Sequence, residues 1–417
     1  MEINKYERNN ANKVVCKKCI LHTKVPGITL DEQGYCSYCV GDNDRPVKGS
    51  SQEASREQED LKGKMQNLFE LVKKEGHTYD VLVMFSGGKD SAYLLELVKK
   101  RYNLRPLAFS IIHPMVNDVS IKNMEDVASS LKVDLIKYFP DLEMYKTFMK
   151  YGLENGDKYG MTEFIGCSLC SYIINCPPLK TAMMMDIPII LSGETKSQGI
   201  FSFVDGEAKK GFLLENNKKP FGKTHDIFDD SCGQEYKGSM YDISFADINR
   251  CRYPTTINPL SIIDYDFRNN TYEDKGLSDR NFKSLFTNCN AVHLFDYLSI
   301  KRYDCISYIK QFAQGIGTNE HILMQMDVNQ SIDNKKAAQM KRDTIIKLMD
   351  EYKNILLYIV ENKVTEKNIT SSNRIKIHEM TGNLCRFFNE ETVDVIISKV
   401  LKINDLADYF GLDLDVV

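Results

Sequence analysis

The chain has 417 residues, 42% of them hydrophobic and 10% aromatic, which is ample material for a core and a length that suggests two or three domains. Its 54 basic and 58 acidic residues leave a net charge of -4, so no overall basic field draws a long polyanion and nucleic acid is not an expected partner. The opening MEINKYERNNANK lacks an apolar signal region, and runs such as Ile355 to Val360 are too short to span a bilayer, so a soluble, cytoplasmic protein is expected.

In chain order, the first feature is Cys16-x-x-Cys19 and Cys36-x-x-Cys39, two pairs with 16 residues between them and turn residues Pro26-Gly27 and Gln33-Gly34 inside. Four thiolates in tight knuckles suit Zn²⁺ in a closed structural site, and a module of residues 1–45 too small for its own core would draw folding energy from the metal. A polar stretch, Gly41 to Asp60, reads as a linker entering a helix, so residues 46–75 connect the module to the next domain.

From Tyr79 short apolar runs alternate with helical periodicity. Val81 to Phe85, Leu107 to Ile112, Val133 to Phe139 and Ile187 to Leu191 read as buried strands; Ser91 to Tyr102, Val119 to Leu131 and Leu179 to Met185 read as helices. This pattern predicts right-handed βαβ units and an α/β fold with a doubly wound parallel sheet over residues 76–215. Met183-Met184-Met185 is expected to pack in the core. Residues 216–417 read as loop-rich to Asp279 and then helical, with a long amphipathic helix over Asn334 to Asn362 and two shorter ones over Glu390 to Leu412. This region is assigned to substrate binding or oligomerisation, and a homo-oligomer is expected.

Directly after the first strand comes Ser86-Gly87-Gly88-Lys89-Asp90-Ser91, leading into a helix with Leu94, Leu97 and Val98 on one face. A strand, a glycine-rich turn and a helix N-terminus aim free amides and the positive helix end at one spot, where phosphate is the natural guest. Lys89 adds a point charge, Ser86 and Ser91 add hydroxyls, and Asp90 makes sense beside phosphates chiefly with Mg²⁺ between them. Walker A requires an earlier glycine where this chain has Val83, and Lys89 is followed by aspartate, so this is not that loop. In a doubly wound sheet the ligand lies outside the carboxyl ends of the strands, which singles out Ser110 and Ile111, then Gly193-Glu194-Thr195, with Gln198 near by. Lys89, Asp90 and Glu194 are the candidate catalytic residues; Ser86, Gly87, Gly88, Lys89, Asp90, Ser91, Ser110 and Gly193 are the candidate nucleotide-binding residues.

A second cysteine group, Cys167-x-x-Cys170 with Cys176, precedes Pro177-Pro178 and would lie near the mouth of that site. It could hold an iron–sulfur cluster such as [4Fe-4S], hold a second metal such as zinc, or merely pack. Cys232, Cys251, Cys289, Cys305 and Cys385 stand alone and read as small buried apolar side chains.

The order Ser-Gly-Gly-Lys-Asp-Ser resembles the signature of the PP-loop, or adenine nucleotide α-hydrolase, superfamily. That resemblance implies a HUP-like fold binding the β,γ-pyrophosphate of ATP, and an ATP pyrophosphatase yielding AMP and pyrophosphate. Together with Val15-Cys16-Lys17-Lys18-Cys19, Pro26-Gly27-Ile28 and Asp31 to Cys39, it is similar to the N-acetyl sugar amidotransferases of bacterial surface-polysaccharide biosynthesis. Cys167 to Cys170, Ile187-Pro188-Ile189-Ile190 and Gly193-Glu194 extend the likeness, as do, more loosely, Gly315-Ile316-Gly317-Thr318 and His321. At Met326 to Ser331 the chain departs from the basic residue and glycine that the family tends to place there.

The family implies adenylation of a carbonyl oxygen on an N-acetylated sugar and its replacement by nitrogen from ammonia. A separate glutaminase would supply that ammonia. The alternative is the PP-loop thiolases, which implies sulfur insertion into a small molecule or tRNA with a cluster on Cys167, Cys170 and Cys176.

Overall fold

A computed structural model describes residues 13–37, 39, 51–161, 165–194, 203–263, 265, 289–305, 342–382, 384 and 390–415. The chain forms two compact units, one of Met1–Lys48, Gly156–Ile165 and Asn290–Val417, the other of Gly49–Asn155 and Gly166–Cys289. No helix among the described residues is long and apolar enough to cross a membrane.

The second unit is built on a six-stranded sheet. Its strands are β1 (Val81–Met84), β2 (Pro106–Ile111), β3 (Asp134–Tyr138), β4 (Ile189–Leu191), β5 (Phe203–Val204) and β6 (Thr255–Ile257), in the order β3-β2-β1-β4-β6-β5. All neighbours are parallel except β5, which runs antiparallel to β6 at the edge. The expected doubly wound parallel sheet is therefore present, but it does not end at residue 215. β6, three residues within Pro254-Thr255-Thr256-Ile257-Asn258-Pro259, inserts between β4 and β5 and carries the sheet about forty residues further than periodicity indicated.

Side chains alternate across a strand, so each face needs its own cover. Val81, Val83 and Phe85 of the β1 segment, with Ala108, Ile189, Leu191 and Ile257, share one buried cluster with α1 (Ser51–Glu75), α2 (Lys89–Glu96), α3 (Asp118–Leu131) and α9 (Pro259–Ile262). A second buried group is aromatic: Phe148 of α4 (Leu142–Asn155) lies 5.3 Å from Tyr172 of α5 (Ile165–Met184), and both meet Phe228 of α7 (Lys223–Phe228). Two short helices, α6 (Gly206–Glu215) and α8 (Phe245–Arg250), complete this unit.

Helix α5 departs from expectation, because it begins at Ile165 and runs straight through Pro177 and Pro178 instead of starting after them. Pro177 offers no N–H to the carbonyl of Ile173, four residues back. That carbonyl instead accepts the Tyr241 hydroxyl at 3.4 Å, so the lost helical hydrogen bond is replaced from outside. The methionine run also divides: Met183 is buried, whereas Met184 and Met185 are exposed at the helix end, where Asp186 turns left-handed.

In the first unit the cysteine module has two isolated antiparallel bridges, Val15 to His22 and Leu30 to Cys36. With it belong α10 (Val292–Tyr303), α11 (Arg342–Glu361), α12 (Ser371–Glu379), α13 (Glu390–Val400) and α14 (Ile403–Phe410). The long helix expected from Asn334 is described from Arg342, and the two final helices match the two expected. His22, buried beside the module, makes a 3.1 Å hydrogen bond to the Asp304 carbonyl at the end of α10. Although burial pushes the Asp304 carboxyl up, Lys353 and Lys13 together hold it below its usual range. Cys385, Gly315 to Thr318, His321 and Met326 to Ser331 lie outside the described residues.

Phe148 has no exposed surface and packs within the aromatic group. Phe148→Ala should cost about 3–5 kcal/mol by leaving an apolar cavity, measured as a lower urea midpoint with little change in slope.

Candidate functional site

The phosphate-type loop sits where β1 hands over to α2, with β2 on one side of β1 and β4 on the other. Gly87 has φ +73°, and a Cβ there would lie 2.2 Å from the Ser120 carbonyl oxygen, so both its conformation and its space exclude a side chain. The buried Asn123 side chain donates to the Gly87 carbonyl at 3.0 Å and fixes the loop to α3. From the β4 side, a Cβ on Gly193 would come 3.0 Å from the backbone N and Cα of Ser91, so strand and helix touch backbone to backbone.

Gly88 is the N-cap of α2 and makes no side-chain cap hydrogen bond, and a helix N-terminus of this kind suits an anion. Ser86 Oγ and Ser91 Oγ are 3.2 Å apart, and Ser91 donates to the Gly88 carbonyl at 3.0 Å. Lys89 Nζ lies 3.9 Å from Asp90 Oδ1. The Asp90 carboxylate keeps about a third of its surface exposed, and its Oδ2 has no protein partner among the described residues. One free carboxylate oxygen beside helix amides is a donor set that fits Mg²⁺ shared with phosphate oxygens.

Glu194, just past β4, is half-buried, and Asn258 at the end of β6 donates to its Oε2 at 3.4 Å. Burial pushes the Glu194 carboxyl up to about 7, against a smaller downward pull from Asn258. Ser110 is buried, and its hydroxyl donates to the Phe85 carbonyl at 2.5 Å, tying β2 to the root of the loop. A hydroxyl inside a β-strand has that carbonyl as its nearest acceptor, which periodicity does not reveal. Thr195 and Gln198 lie outside the described residues.

The second cysteine group comes apart on α5. Cys176 is buried and its thiol lies 3.4 Å from the Tyr241 carbonyl, while Cys170 Sγ lies 4.0 Å from His113 Nε2. Residues six apart on a helix point in well-separated directions, so Cys176 cannot share a centre with Cys170. Burial pushes the Cys170 thiol well up, and Cys289 and Cys167 are near enough to add to that push through their own charge. Cys289 is therefore the sequence-distant cysteine that comes near Cys170. Cys289 pairs by its backbone with Val116, and Val116 N–H donates to the His113 carbonyl, so both residues hang on one loop after β2. Met115 N–H donates to His113 Nδ1 at 3.3 Å, and burial pushes the imidazole down to about 4; a neutral ring then carries its proton on Nε2, toward Cys170. Cys289 thus departs from the solitary apolar cysteine expected of it. Nothing in its spacing announces this partnership, because 119 residues separate it from Cys170.

Among the described residues, Cys16, Cys19, Cys36 and Cys39 form the group whose ligand atoms all lie within 4.8 Å of one another, and all four are buried. Backbone N–H groups of Cys36 and Lys18 point at Cys16 Sγ, at 3.2 and 3.4 Å, and that of Leu21 at Cys19 Sγ, at 3.5 Å. Such donors favour thiolate over thiol, and four sulfurs at this spacing fit one tetrahedral ion. Tyr265, Asn258, His113 and Asn123 are the site residues that sequence reasoning missed. His113-Pro114 and Asn258-Pro259 each follow a strand, which is the one local signal that could have drawn notice.

Cys16→Ser or Cys36→Ser should release about one bound metal equivalent and lower folding yield, read by elemental analysis and thermal melting. For Glu194 the sign is set by a folded pKa raised above the unfolded value: the burial cost is absent while the group is protonated and complete once pH passes about 7. Glu194→Gln should therefore raise Tm at about pH 8 and leave it nearly unchanged at about pH 5.

No protein-family profile matches the chain. A stretch of 135 residues is 26% identical to the uncharacterised protein MJ1599 of Methanocaldococcus jannaschii, covering 32% of this chain and 45% of that protein, so the chain spans less than half of this relative. Among solved structures it is similar to the NH3-dependent NAD synthetase of Campylobacter jejuni at 15% identity and TM-score 0.26, over 40% of this chain and 63% of that one. The NMN synthetase of Francisella tularensis has 8% identity and TM-score 0.26, over 45% and 97%. The U34-tRNA thiolase NcsA of Methanococcus maripaludis, solved with its [4Fe-4S] cluster, has 14% identity and TM-score 0.22, over 57% and 87%. None of these likenesses assigns the chain to a family.

Proposed function

We propose that the chain is a PP-loop ATP pyrophosphatase that adenylates a carbonyl oxygen for replacement by nitrogen. The observation that carries this is the uncapped Gly87-Gly88 turn at the head of α2, flanked by Lys89 and Asp90 at the carboxyl end of a central parallel strand. The first-turn amides and Lys89 would hold the β,γ-phosphates as a leaving group, and Asp90 would hold Mg²⁺, which supplies charge neutralisation on the phosphates when bound. The substrate oxygen attacks the α-phosphorus and pyrophosphate leaves; ammonia then attacks the activated carbon and AMP leaves with the oxygen. Glu194, ionised above about pH 7, would take the proton released from the attacking nitrogen. An N-acetylated sugar is the acceptor that the amidotransferase resemblance implies, with ammonia from a separate glutaminase, zinc on the four N-terminal cysteines, and a cytoplasmic site of action.

Product analysis with labelled ATP and ammonia tests this: AMP and pyrophosphate are expected, and ADP would overturn it. Lys89→Ala should lower turnover by roughly 10²–10³-fold with an unchanged melting curve, as for loss of a group that stabilises transition-state charge.

One observation favours a second reading, sulfur insertion. Cys170 lies beside His113, and Cys167 and Cys289 are near enough to Cys170 to act on its thiol. Iron and sulfide in anaerobically purified protein, lost in Cys289→Ser and kept in Cys176→Ser, would favour sulfur; their absence from the parent protein would favour nitrogen.

A further inference from the structure

Asp90 has a neighbour with no counterpart in the loop motif. Tyr265 lies just beyond α9, 175 residues away in sequence, and its hydroxyl donates to Asp90 Oδ1 at 2.5 Å. Its ring stacks on Tyr93 of α2 at 5.1 Å with planes 29° apart, and both rings pack against the main core cluster. The phenol is thus held from two sides, by the stack on the helix that carries Asp90 and by the short helix α9 that follows β6. Lys89 Nζ also approaches Oδ1, so these two protein groups engage the same oxygen, and Oδ2 has no protein partner among the described residues.

We propose that Tyr265 is the positioning residue for a divalent cation on Asp90. It rests on the nucleotide-binding role proposed for the loop. By occupying Oδ1 the phenol fixes the carboxylate plane and leaves Oδ2 as the single oxygen presented to the ion. Mg²⁺ bound with nucleotide takes one or two protein carboxylates with the rest of its shell from phosphates and water, so a one-oxygen presentation suits it, where a two-oxygen grip would suit a larger ion such as Ca²⁺. Hydrogen-bond partners behind a ligating carboxylate are worth about 10–100-fold in metal affinity when removed. The aromatic stack makes the arrangement stiff: rotating Asp90 away requires breaking the hydrogen bond while Tyr265 remains pinned against Tyr93.

The test is Mn²⁺ binding by electron paramagnetic resonance, with the full chain and α,β-methylene-ATP as a non-cleaved nucleotide. Tyr265→Phe keeps the stack and loses only the hydroxyl. It should weaken Mn²⁺ binding in the nucleotide complex by about 10–100-fold, leave nucleotide binding in EDTA within about twofold, and recover full binding at high Mn²⁺. In an Asp90→Asn background the same substitution should have no further effect, and this comparison keeps the test valid if either variant is less stable. Unchanged Mn²⁺ affinity in Tyr265→Phe would overturn the proposal, as would an equal loss of nucleotide binding in EDTA, which would make Tyr265 a wall of the pocket. A parent protein that does not bind the analogue at all, with or without Mn²⁺, would instead remove the nucleotide role of the loop, and this inference with it.

Discussion

The contact between Gly87 and Ser120 is the constraint on which the candidate site depends. A left-handed glycine whose absent Cβ would sit 2.2 Å from a backbone oxygen lets β1 turn sharply into α2 with α3 pressed against the turn. Asn117 caps α3 through the Ser120 amide, and Asn123 further along the helix binds the Gly87 carbonyl, so the helix that crowds the loop also satisfies it. On the opposite flank Gly193 admits the end of β4 against Ser91. The loop is therefore clamped between the strand connections on either side of β1, where the sheet order reverses. Its shape is held by neighbouring backbone and by Asn123, with no side chain capping α2.

A second consequence of tight packing is the division of cysteines along α5. Three cysteines in ten residues look like one cluster in a loop, but a helix spreads them around its axis. Cys176 then falls on the side of Tyr241, whose hydroxyl also replaces the hydrogen bond that Pro177 cannot make, and whose carbonyl lies beside the thiol. The aromatic cluster of Phe148, Tyr172, Phe228 and Tyr241 thus absorbs both the proline defect and the third cysteine. Cys170, nearer the start of the helix, stays beside His113, with Cys167 and Cys289 near its thiol.

Where a signal is local, the sequence was readable. β1 to β4 lie in apolar runs, α3 and the long and final helices of the C-terminal region are periodic, and the Ser-Gly-Gly-Lys-Asp-Ser turn stands in the strand and helix context it requires. The four N-terminal cysteines carried their geometry in their spacing, and the structure gathers them as that spacing implied. The unreadable features depend on contacts distant in sequence. β6 is three residues long with no alternation to detect, and its place in the sheet comes from pairing with β4. Its consequences are just as remote, because the chain beyond it supplies Asn258 to Glu194 and Tyr265 to Asp90. Ser110 went the other way: a polar residue at a strand end suggested a ligand, and tertiary packing gave it a backbone acceptor instead.

The two acidic groups of the candidate site differ in surroundings more than in chemistry, and that difference allots them separate tasks in the adenylation reading. Asp90 stands on the helix that presents the loop amides, partly open to water, with Lys89 and Tyr265 on one oxygen. A carboxylate so placed is suited to holding a cation beside phosphates, where it must stay ionised. Glu194 lies past the end of β4 with Asn258 as its hydrogen-bond partner, and its burial brings its proton affinity up to about 7. That makes it a poor cation ligand but an acceptor able to take a proton near neutrality and return it to solvent. Both partners, Asn258 and Tyr265, arrive from the same stretch after β6. Extending the parallel sheet by one short strand therefore does more than widen it: it brings the groups that tune each carboxylate to the edge where the phosphate loop opens.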